Sequence, residues 1–557
     1  MVEVLGTLLA MRLRELAVWG SLLAAVLVAW RLSPRSAEAV EQGLRSRTAP
    51  LAAAGLSFLQ FWWLWGSLSA LPVIHDEVAY LLQARIFGSF HWTAAGRPLP
   101  EFFEQFHVFV TPVLAAKYPP GHSLALVPGV WLGLPGLVPL ALTALAAGLL
   151  YALSREVAGP WAAVAAWLLW TTNSGDLRFR PGYFSETTTV AVWLAGWWLL
   201  RRWLERNDRR ILLALAVVVA WGAITRPVTT LAFGIPVAAV VLRRAAARRG
   251  LLDLIPATAA GVVVLLLVPL WNERTTGDWR VSPLALWSRT YVPFNMPGFH
   301  VDPTPPRFPM NFERRQFEAY FRPIFERHTP DRLPSIALER VRFIGRDMWG
   351  RGRALLLPFA LVGLVTAPAL AWPAVASAGL LVLFHLVLAH PPQWTVYYLE
   401  AQPVLAFLTA LGLVRVFHFL ARAVREHPGR RFASGAVLVA ALLASLGPCV
   451  GRLEDARNLT RGERRYLEAF FSKVARIPEE RAVVFVRYGD RHPNQWSLVR
   501  NEPDMAAARV WLAFDRGDED RKLLDLAPER EPYLYDEAGE TLTRCLRGPA
   551  DSLRCGS

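Results

Sequence analysis

The sequence predicts an all-α polytopic membrane protein, with about 12 transmembrane helices and a small C-terminal soluble α/β domain. The first indication is composition, because 54% of the 557 residues are hydrophobic and only 19% are charged. A soluble protein of this length has roughly a quarter of its residues charged. The second indication is order along the chain, because apolar runs recur up to position 450 and the composition then changes. These features exclude a disordered chain, a coiled coil and a small disulfide scaffold.

The predicted spans are apolar runs that approach 20 residues, the length needed to cross a hydrocarbon core of about 30 Å. Several are short and separated by Gly or Pro, so the count of twelve has an error of about two. The runs lie at 15–31, 51–71, 134–154, 160–172, 187–200, 211–225, 229–242, 252–271, 354–371, 374–390, 399–415 and 434–450. Residues 1–50 are therefore predicted to be an N-terminal transmembrane helix with a cytoplasmic linker, and residues 51–450 a transmembrane domain.

Arginine placement predicts the orientation. Alternate connections between the spans hold nineteen basic and six acidic residues, and loops rich in arginine stay in the cytoplasm. The first outer loop, 72–133, and the second, 272–353, are then extracytoplasmic, in a protein of the cell (inner) membrane. The net charge of +15 is therefore mainly an orientation signal with some affinity for membrane lipid, and it does not indicate nucleic-acid binding.

Residues 451–557 are predicted to form the extracytoplasmic soluble domain, because their charges nearly balance and two strand-like runs occur, Ala482–Tyr488 and Ala507–Phe514. Cys545 and Cys555 both lie there. An oxidising compartment permits a disulfide between them, and the sequence leaves open whether it forms.

The first outer loop opens on a carboxylate pair, Asp76 and Glu77, directly after an apolar run. Such a pair at the end of a spanning helix is costly unless it is hydrated or used. Asp76 can be the N-cap of an amphipathic helix over Glu77–Phe90. It can also be a general base at the membrane surface, and the two roles can coexist.

Cations lie on the same predicted face. Lys117 is the only lysine in the first 472 residues, and it can be a snorkelling interfacial cation or a phosphate contact. Arg226 interrupts an apolar stretch, where an unpaired guanidinium is expensive. It can form an ion pair with Glu186 or Glu77, or bind an anionic headgroup. The other cations assigned to this face are Arg178, Arg180 and Arg274.

Other site classes find little support. The sequence has no Gly-rich phosphate loop, no Cys/His zinc spacing and no Gly-x-Ser-x-Gly motif. His385 and His390 are expected to be hydrogen-bonded helix histidines, because a separation of five suits no common metal site. A polar and aromatic loop that contains Tyr397 is placed on the outer side and can line a pocket.

Two motifs resemble those of a known family. The run from His75 to Tyr80 after a spanning helix, and the run from Lys117 to Gly121 before the next span, are similar to those of GT-C integral-membrane glycosyltransferases. The similarity is greatest to the dolichyl-phosphate-mannose protein mannosyltransferase and aminoarabinose transferase group. It covers about 50–275, and Tyr397 lies in a region that matches in character. Two features depart from the group: the late loop lacks its His-x-x-His-Tyr form, and the C-terminal tail has no counterpart.

The resemblance implies a GT-C fold, with 51–450 as the catalytic domain and transfer outside the cell with inversion. The donor would be a polyprenyl-phosphate sugar, and the acceptor a protein or an envelope glycan or glycolipid. Asp76 would deprotonate the acceptor hydroxyl, while Glu77 and Tyr80 would orient that hydroxyl or bind the acceptor. Fixed cations would neutralise the departing phosphate, so no metal or other cofactor is expected. The residues assigned to the donor phosphate or substrate are Lys117, Arg226, Tyr80, Arg178, Arg180 and Tyr397.

A transporter or flippase of a lipid-linked saccharide is the alternative function. Such proteins usually have paired repeats with broken helices and a binding site near the membrane midplane. Here the polar residues instead gather in loops on one face, which favours an enzyme. A third hypothesis is that the membrane part only anchors the C-terminal tail, but an anchor does not need so many membrane spans.

Overall fold

A computed structural model of the chain describes residues 34–179, 182–248, 250–350, 352–426, 431–547 and 553–555. The predicted span at 15–31 and the candidate Arg180 lie outside the described residues. Helices make up most of the described chain, and the two sheets are small.

Twelve α-helices lie before residue 280 in the described ranges, and they are numbered along the chain. They are α1 Pro34–Arg45, α2 Ala49–Trp65, α3 His75–Gly88, α4 Gly121–Trp131, α5 Leu137–Ala158, α6 Pro160–Thr171, α7 Ser174–Phe179, α8 Ser185–Arg206, α9 Arg209–Ala223, α10 Pro227–Ala247, α11 Leu254–Leu265 and α12 Leu267–Thr276. Pro or Gly stands at many of their ends, for example Pro160 at the start of α6 and Gly277 after α12.

The later helices include those of the second outer loop and the C-terminal region. They are α13 Pro283–Tyr291, α14 Phe312–Glu326, α15 Leu333–Trp349, α16 Leu357–Val365, α17 Trp372–Phe384, α18 Gln402–Glu426, α19 Arg431–Leu446, α20 Cys449–Ala475 and α21 Asp520–Leu526. The helices α16 and α18 cross in close contact. A Cβ on Gly363 would lie 1.8 Å from the carbonyl oxygen of Leu408, and one on Gly412 would lie 1.7 Å from that of Phe359. Only glycine fits at either position.

Five described helical stretches are long and apolar enough to cross a membrane, or six if the pair 330–349 and 354–365, bent by 102°, is one span. They are Leu137–Ala158, Pro227–Ala247, Leu251–Thr276, Ala369–Val387 and Thr395–Ala423. Other predicted spans correspond to shorter helices, such as α2 with 17 residues and α6 with 12. The protein is thus a mostly helical, multi-pass membrane protein, and the number of twelve spans stays a prediction.

The arginine-rich connections contact one another. Arg155 donates to the carbonyl oxygen of Ser46. Arg201 and Arg202 pair with Glu156. These connections belong to the set predicted to be cytoplasmic, and their contacts show that they share one end of the bundle. Which side of the membrane that end faces stays a prediction.

The predicted outer loops pack together at a different place. In the first loop, the short strands β1 Ala94–Ala95, β2 Val108–Phe109 and β3 Val113–Ala116 form an antiparallel sheet in the order β1-β3-β2. Residues in and next to this sheet pack in one aromatic core with residues of the second outer loop and of the loop that contains Tyr397. Members of this core are Phe106, Phe109, Trp287, Tyr291, Phe317, Phe321 and, partly buried, Trp394.

The C-terminal α/β unit consists of α20, α21 and the strands β4 Ala482–Arg487, β5 Val510–Phe514, β6 Glu531–Asp536, β7 Thr541–Arg547 and β8 Leu553–Cys555. The strand order is β5-β4-β6-β7-β8, with β4 parallel to β5 and β6 and the remaining pairs antiparallel. Both strand-like runs of the sequence are strands here, and Cys545 and Cys555 form the disulfide that the sequence permitted. That this unit is soluble and extracytoplasmic stays a prediction.

Candidate active site

The chain is extended where it enters α3, and the side chain of Glu77 binds the backbone just before the helix. Ile74, with φ −87° and ψ 150°, is the N-cap residue. The Oε2 atom of Glu77 accepts the N–H groups of Val73 at 2.9 Å and Ile74 at 3.2 Å. Its Oε1 atom accepts the N–H of Tyr183 at 2.9 Å. The prediction that Asp76 is the N-cap residue is therefore wrong, because Ile74 holds that position and Asp76 is the second residue of α3.

This arrangement separates the two carboxylates of the predicted pair. Glu77 is buried and both of its oxygens accept backbone N–H groups, so its carboxylate holds the helix start and does not face a substrate. Asp76 lies in the first turn with 31% of its side chain exposed. The structure therefore leaves Asp76 as the carboxylate that a substrate can reach.

Two ring side chains hold the carboxylate of Asp76. The hydroxyl of Tyr118 donates to its Oδ1 over 2.5 Å, and Nε2 of His107 lies 3.6 Å from its Oδ2. Burial disfavours the charged carboxylate, but His107, Tyr118 and Lys117 together lower the pKa of Asp76 below its ordinary value. Burial also lowers the pKa of His107 to about 4. Asp76 is therefore ionised and His107 neutral at neutral pH.

Lys117 directly precedes Tyr118 and brings a cation to the same place. It is buried, and its Nζ lies 4.1 Å from the ring centroid of Trp287. Across the described ranges, neither an ion pair nor a hydrogen bond engages this ammonium. Burial lowers the pKa of Lys117 to about 7, and the charge of Asp76 only partly opposes this shift. Lys117 is thus a cation that lacks a close anionic partner.

Arg226 lies between α9 and α10, and the ion pair that the sequence allowed is present. Its Nη1 contacts Glu186, and its Nε lies 4.0 Å from Oε1 of Glu400. The guanidinium lies 5.8 Å from the ring centroid of Tyr397. Electrostatic interactions connect Tyr80 to Asp76 and to Arg226. Arg226 therefore belongs to the same site as Asp76, since Tyr80 interacts with both.

Tyr80 and Tyr397 contribute aromatic surface to this site. Tyr80 stacks on Tyr118 with centroids 4.5 Å apart, and burial raises its pKa well above the ordinary value. Tyr397 is partly buried, packs 4.7 Å from the ring of His390, and interacts electrostatically with Asp76. Both predicted residues therefore lie near the carboxylate.

Arg178 lies apart from these groups. It is exposed, and its guanidinium lies 5.2 Å from the ring of Phe179. It interacts with Asp347 and Glu463, while no hydrogen bond, ion pair or ring contact joins it to Asp76 within the part of the chain described. The structure thus brings together Asp76, Lys117, Arg226, Tyr80 and Tyr397 and leaves Arg178 outside.

Sequence reasoning missed the roles of His107, Tyr118 and Glu400. Tyr118 stands inside the run from Lys117 to Gly121, but the sequence gives a neutral ring such as Tyr118 or His107 no cost of burial that would mark it as part of a site. Glu400 could have been found, because a carboxylate just before a long apolar run is costly without a partner. His385 and His390 are hydrogen-bonded as expected, to the carbonyl oxygen of Leu381 and to the hydroxyl of Tyr398.

No protein-family model matches the sequence, and no curated protein matches it. Among solved structures, the crystal structure of ArnT from Cupriavidus metallidurans bound to undecaprenyl phosphate matches with a TM-score of 0.50 and 15% identity, over 89% of this chain and 91% of that chain. The apo structure of ArnT from the same organism also gives a TM-score of 0.50 and 15% identity, over 87% and 92%. The chain has a GT-C-like fold.

The GT-C-like fold predicted from the sequence motifs is thus confirmed. The likeness extends over most of both chains. At 15% identity it is a likeness of fold, and the reaction is inferred from the residues around Asp76.

Proposed function

We propose that the protein is a membrane glycosyltransferase that moves a sugar from a polyprenyl-phosphate-linked donor to an extracytoplasmic acceptor hydroxyl, with inversion. The observation that carries the proposal is the pairing of a reachable, ionised carboxylate with a cation that has no close anionic partner. Asp76 can take a proton, and Lys117 can receive a phosphate, within one loop. Support for a lipid phosphate comes from ArnT, which was solved with undecaprenyl phosphate bound.

The proposed reaction is a single displacement. Asp76 removes the proton from the acceptor hydroxyl, whose oxygen attacks the anomeric carbon from the face opposite the phosphate. The bond from the anomeric carbon to the phosphate oxygen breaks, and its electron pair leaves with the phosphate. Attack from the opposite face inverts the configuration at that carbon.

Charge on the departing phosphate is the main electrostatic demand of this step. Fixed cations stabilise such charge best when they need no reorganisation. Lys117 is held against Trp287, and Arg226 is held by Glu186 and Thr229. We therefore assign both to the phosphate, with Tyr80 and Tyr397 lining the sugar and acceptor space. One phosphate is satisfied by these two cations, so the proposal includes no metal or other cofactor.

The acceptor is proposed to be a protein or an envelope glycan or glycolipid, reached from the extracytoplasmic side. The active site and the C-terminal α/β unit would both face that side of the cell membrane. This placement follows from the arginine-rich connections at the other end of the bundle, which the positive-inside rule assigns to the cytoplasm.

The test separates transfer from transport, which is the alternative function. Purified protein in liposomes receives polyprenyl-phosphate hexose and pentose donors with a labelled sugar, and an envelope fraction as acceptor. Transfer predicts label in the acceptor fraction and free polyprenyl phosphate in equal amounts. Movement of intact donor across the bilayer without free polyprenyl phosphate would contradict the proposal and favour a flippase.

A further inference from the structure

The C-terminal α/β unit holds the chain segment that leads into Asp76. An antiparallel bridge joins Ile74 to Trp496. The N–H of His75 donates to the carbonyl oxygen of Gln495 over 2.9 Å. The extended conformation of Ile74 suits such pairing. A segment of the first outer loop is thus paired, like a strand, with a loop from near the end of the chain.

Arg500 adds a second connection between the same two segments. Its Nη1 donates to the carbonyl oxygen of Pro72 over 2.6 Å, and its Nη2 to that of Val73 over 3.2 Å. Its Nε donates to the carbonyl oxygen of Ser497 over 2.7 Å. Because a guanidinium is planar and its donors are fixed in direction, one side chain sets the position of two consecutive carbonyl groups.

Val73 is part of the hydrophobic core of the C-terminal α/β unit. Its buried side chain packs in one cluster with Leu467, Val484 and Leu498. The backbone around it is bonded on both sides, since Arg500 binds the carbonyl groups while Glu77 accepts the N–H groups of Val73 and Ile74. The approach to α3 therefore has little freedom to move while the unit is in place.

We propose that the C-terminal α/β unit sets the position of Asp76, with Arg500 as the positioning residue. Asp76 comes two residues after Ile74, so a shift of the paired segment moves its carboxylate relative to Tyr118 and the acceptor. A displacement of about 1 Å at a reacting group can cost about 100-fold in rate. This inference rests on the proposed function, because the position of Asp76 affects a rate only if Asp76 is the base.

The unit has other contacts to the same loop that do not involve the segment before α3. Arg97 donates to the carbonyl oxygens of Glu502 and Pro503, and Arg85 pairs with Glu502. These contacts keep the unit docked when Arg500 is changed. Removing the guanidinium therefore loosens the segment before α3 and does not detach the unit.

The experiment compares Arg500→Met with a matched variant, Arg509→Met. Arg509 also donates to backbone carbonyls of Ala475, Ile477 and Glu479, but all of them lie within the unit. Amide hydrogen exchange over residues 72–78 is measured in the full-length protein, with β4 as reference. The rate of sugar transfer and the affinity for a polyprenyl phosphodiester are measured on the same samples.

For Arg500→Met we expect exchange over 72–78 to rise about tenfold, kcat to fall about 10- to 100-fold and donor affinity to change less than twofold. Arg500→Lys should keep part of the kcat that Arg500→Met loses. Arg509→Met should leave both the exchange over 72–78 and kcat unchanged. Unchanged exchange over 72–78, an equal loss of kcat in Arg509→Met, or a loss confined to donor affinity would overturn the inference. The exchange result stands even if the wild type transfers no sugar, so this failure differs from failure of the proposed function. If Arg500→Met does not fold, Arg500→Lys is judged alone by the same two readouts.

Discussion

Donor binding should weaken as Lys117 loses its proton. Burial lowers the pKa of Lys117 to about 7, because the charge of Asp76 only partly opposes this shift. A donor phosphodiester carries one negative charge at any pH in this range, and it favours the charged ammonium. The affinity should therefore approach its full value about one pH unit below 7 and should fall as the pH rises through 7.

The magnitude follows from the charged fraction of the ammonium. With a pKa near 7, about half of Lys117 is charged at pH 7 and about 1% at pH 9, so affinity should fall about 50-fold between them. Asp76 and His107 do not titrate in this window, because their pKa values lie below it. Tyr118 does not titrate either, because burial raises its pKa.

The assay is direct binding of a fluorescent undecaprenyl phosphate methyl ester to the purified protein from pH 6 to pH 9. The methyl ester is used because the free phosphate monoester itself titrates near pH 6. Lys117→Arg should bind with nearly constant affinity, since a guanidinium stays charged throughout. Lys117→Met should bind about 10- to 100-fold more weakly at pH 6 and show no pH dependence. A wild-type affinity that changes less than threefold from pH 7 to pH 9, or an equal pH dependence in Lys117→Arg, would refute the reasoning.

Two further predictions concern the partners of the site. Tyr118→Phe removes the hydrogen-bond donor that stabilises the charged form of Asp76. The pKa of Asp76 should therefore rise, and the acid limb of the pH–rate profile should move up by about one pH unit. An unmoved limb would show that this hydrogen bond does not control the pKa of the base. Arg226→Met leaves Glu186 buried without its ion-pair partner, and should lower the free energy of unfolding by about 3–5 kcal/mol. The double variant Arg226→Met/Glu186→Gln should recover most of that stability while donor binding stays about tenfold weaker, and full recovery of binding would remove Arg226 from the donor site.

The sequence predicts those parts of the fold and site where a charge is costly. Asp76 and Arg226 stand out because each borders or interrupts apolar sequence, and Lys117 because it is the only lysine in the first 472 residues. The structure places all three in one site. Arg178 was assigned because it lies on the same predicted face, but it is exposed elsewhere, because the predicted face of a residue carries no information on the direction in which its side chain points.

Neutral partners and long-range contacts are hidden from such reasoning. The bond from Tyr118 to Asp76 depends on how the outer loop folds back, and the bonds from Arg500 depend on a unit far along the chain. The helix ends were predicted less well than the apolar runs, because a break such as that at Leu266 divides the predicted run 252–271 between α11 and α12. Packing between elements decides these features.

The central claim is that Asp76 is the general base, and Asp76→Asn tests it most directly. Asparagine keeps the size of the side chain but cannot take the proton. Asp278→Asn is the control, because Asp278 is an exposed acid of the second outer loop. Its carboxylate accepts the N–H of Arg280, and the amide oxygen of asparagine can accept the same hydrogen bond. Sugar transfer from saturating polyprenyl-phosphate donor should fall at least 100-fold in Asp76→Asn, with donor affinity within threefold of wild type and Asp278→Asn unchanged. A folded Asp76→Asn variant that transfers sugar at the wild-type rate would contradict the account.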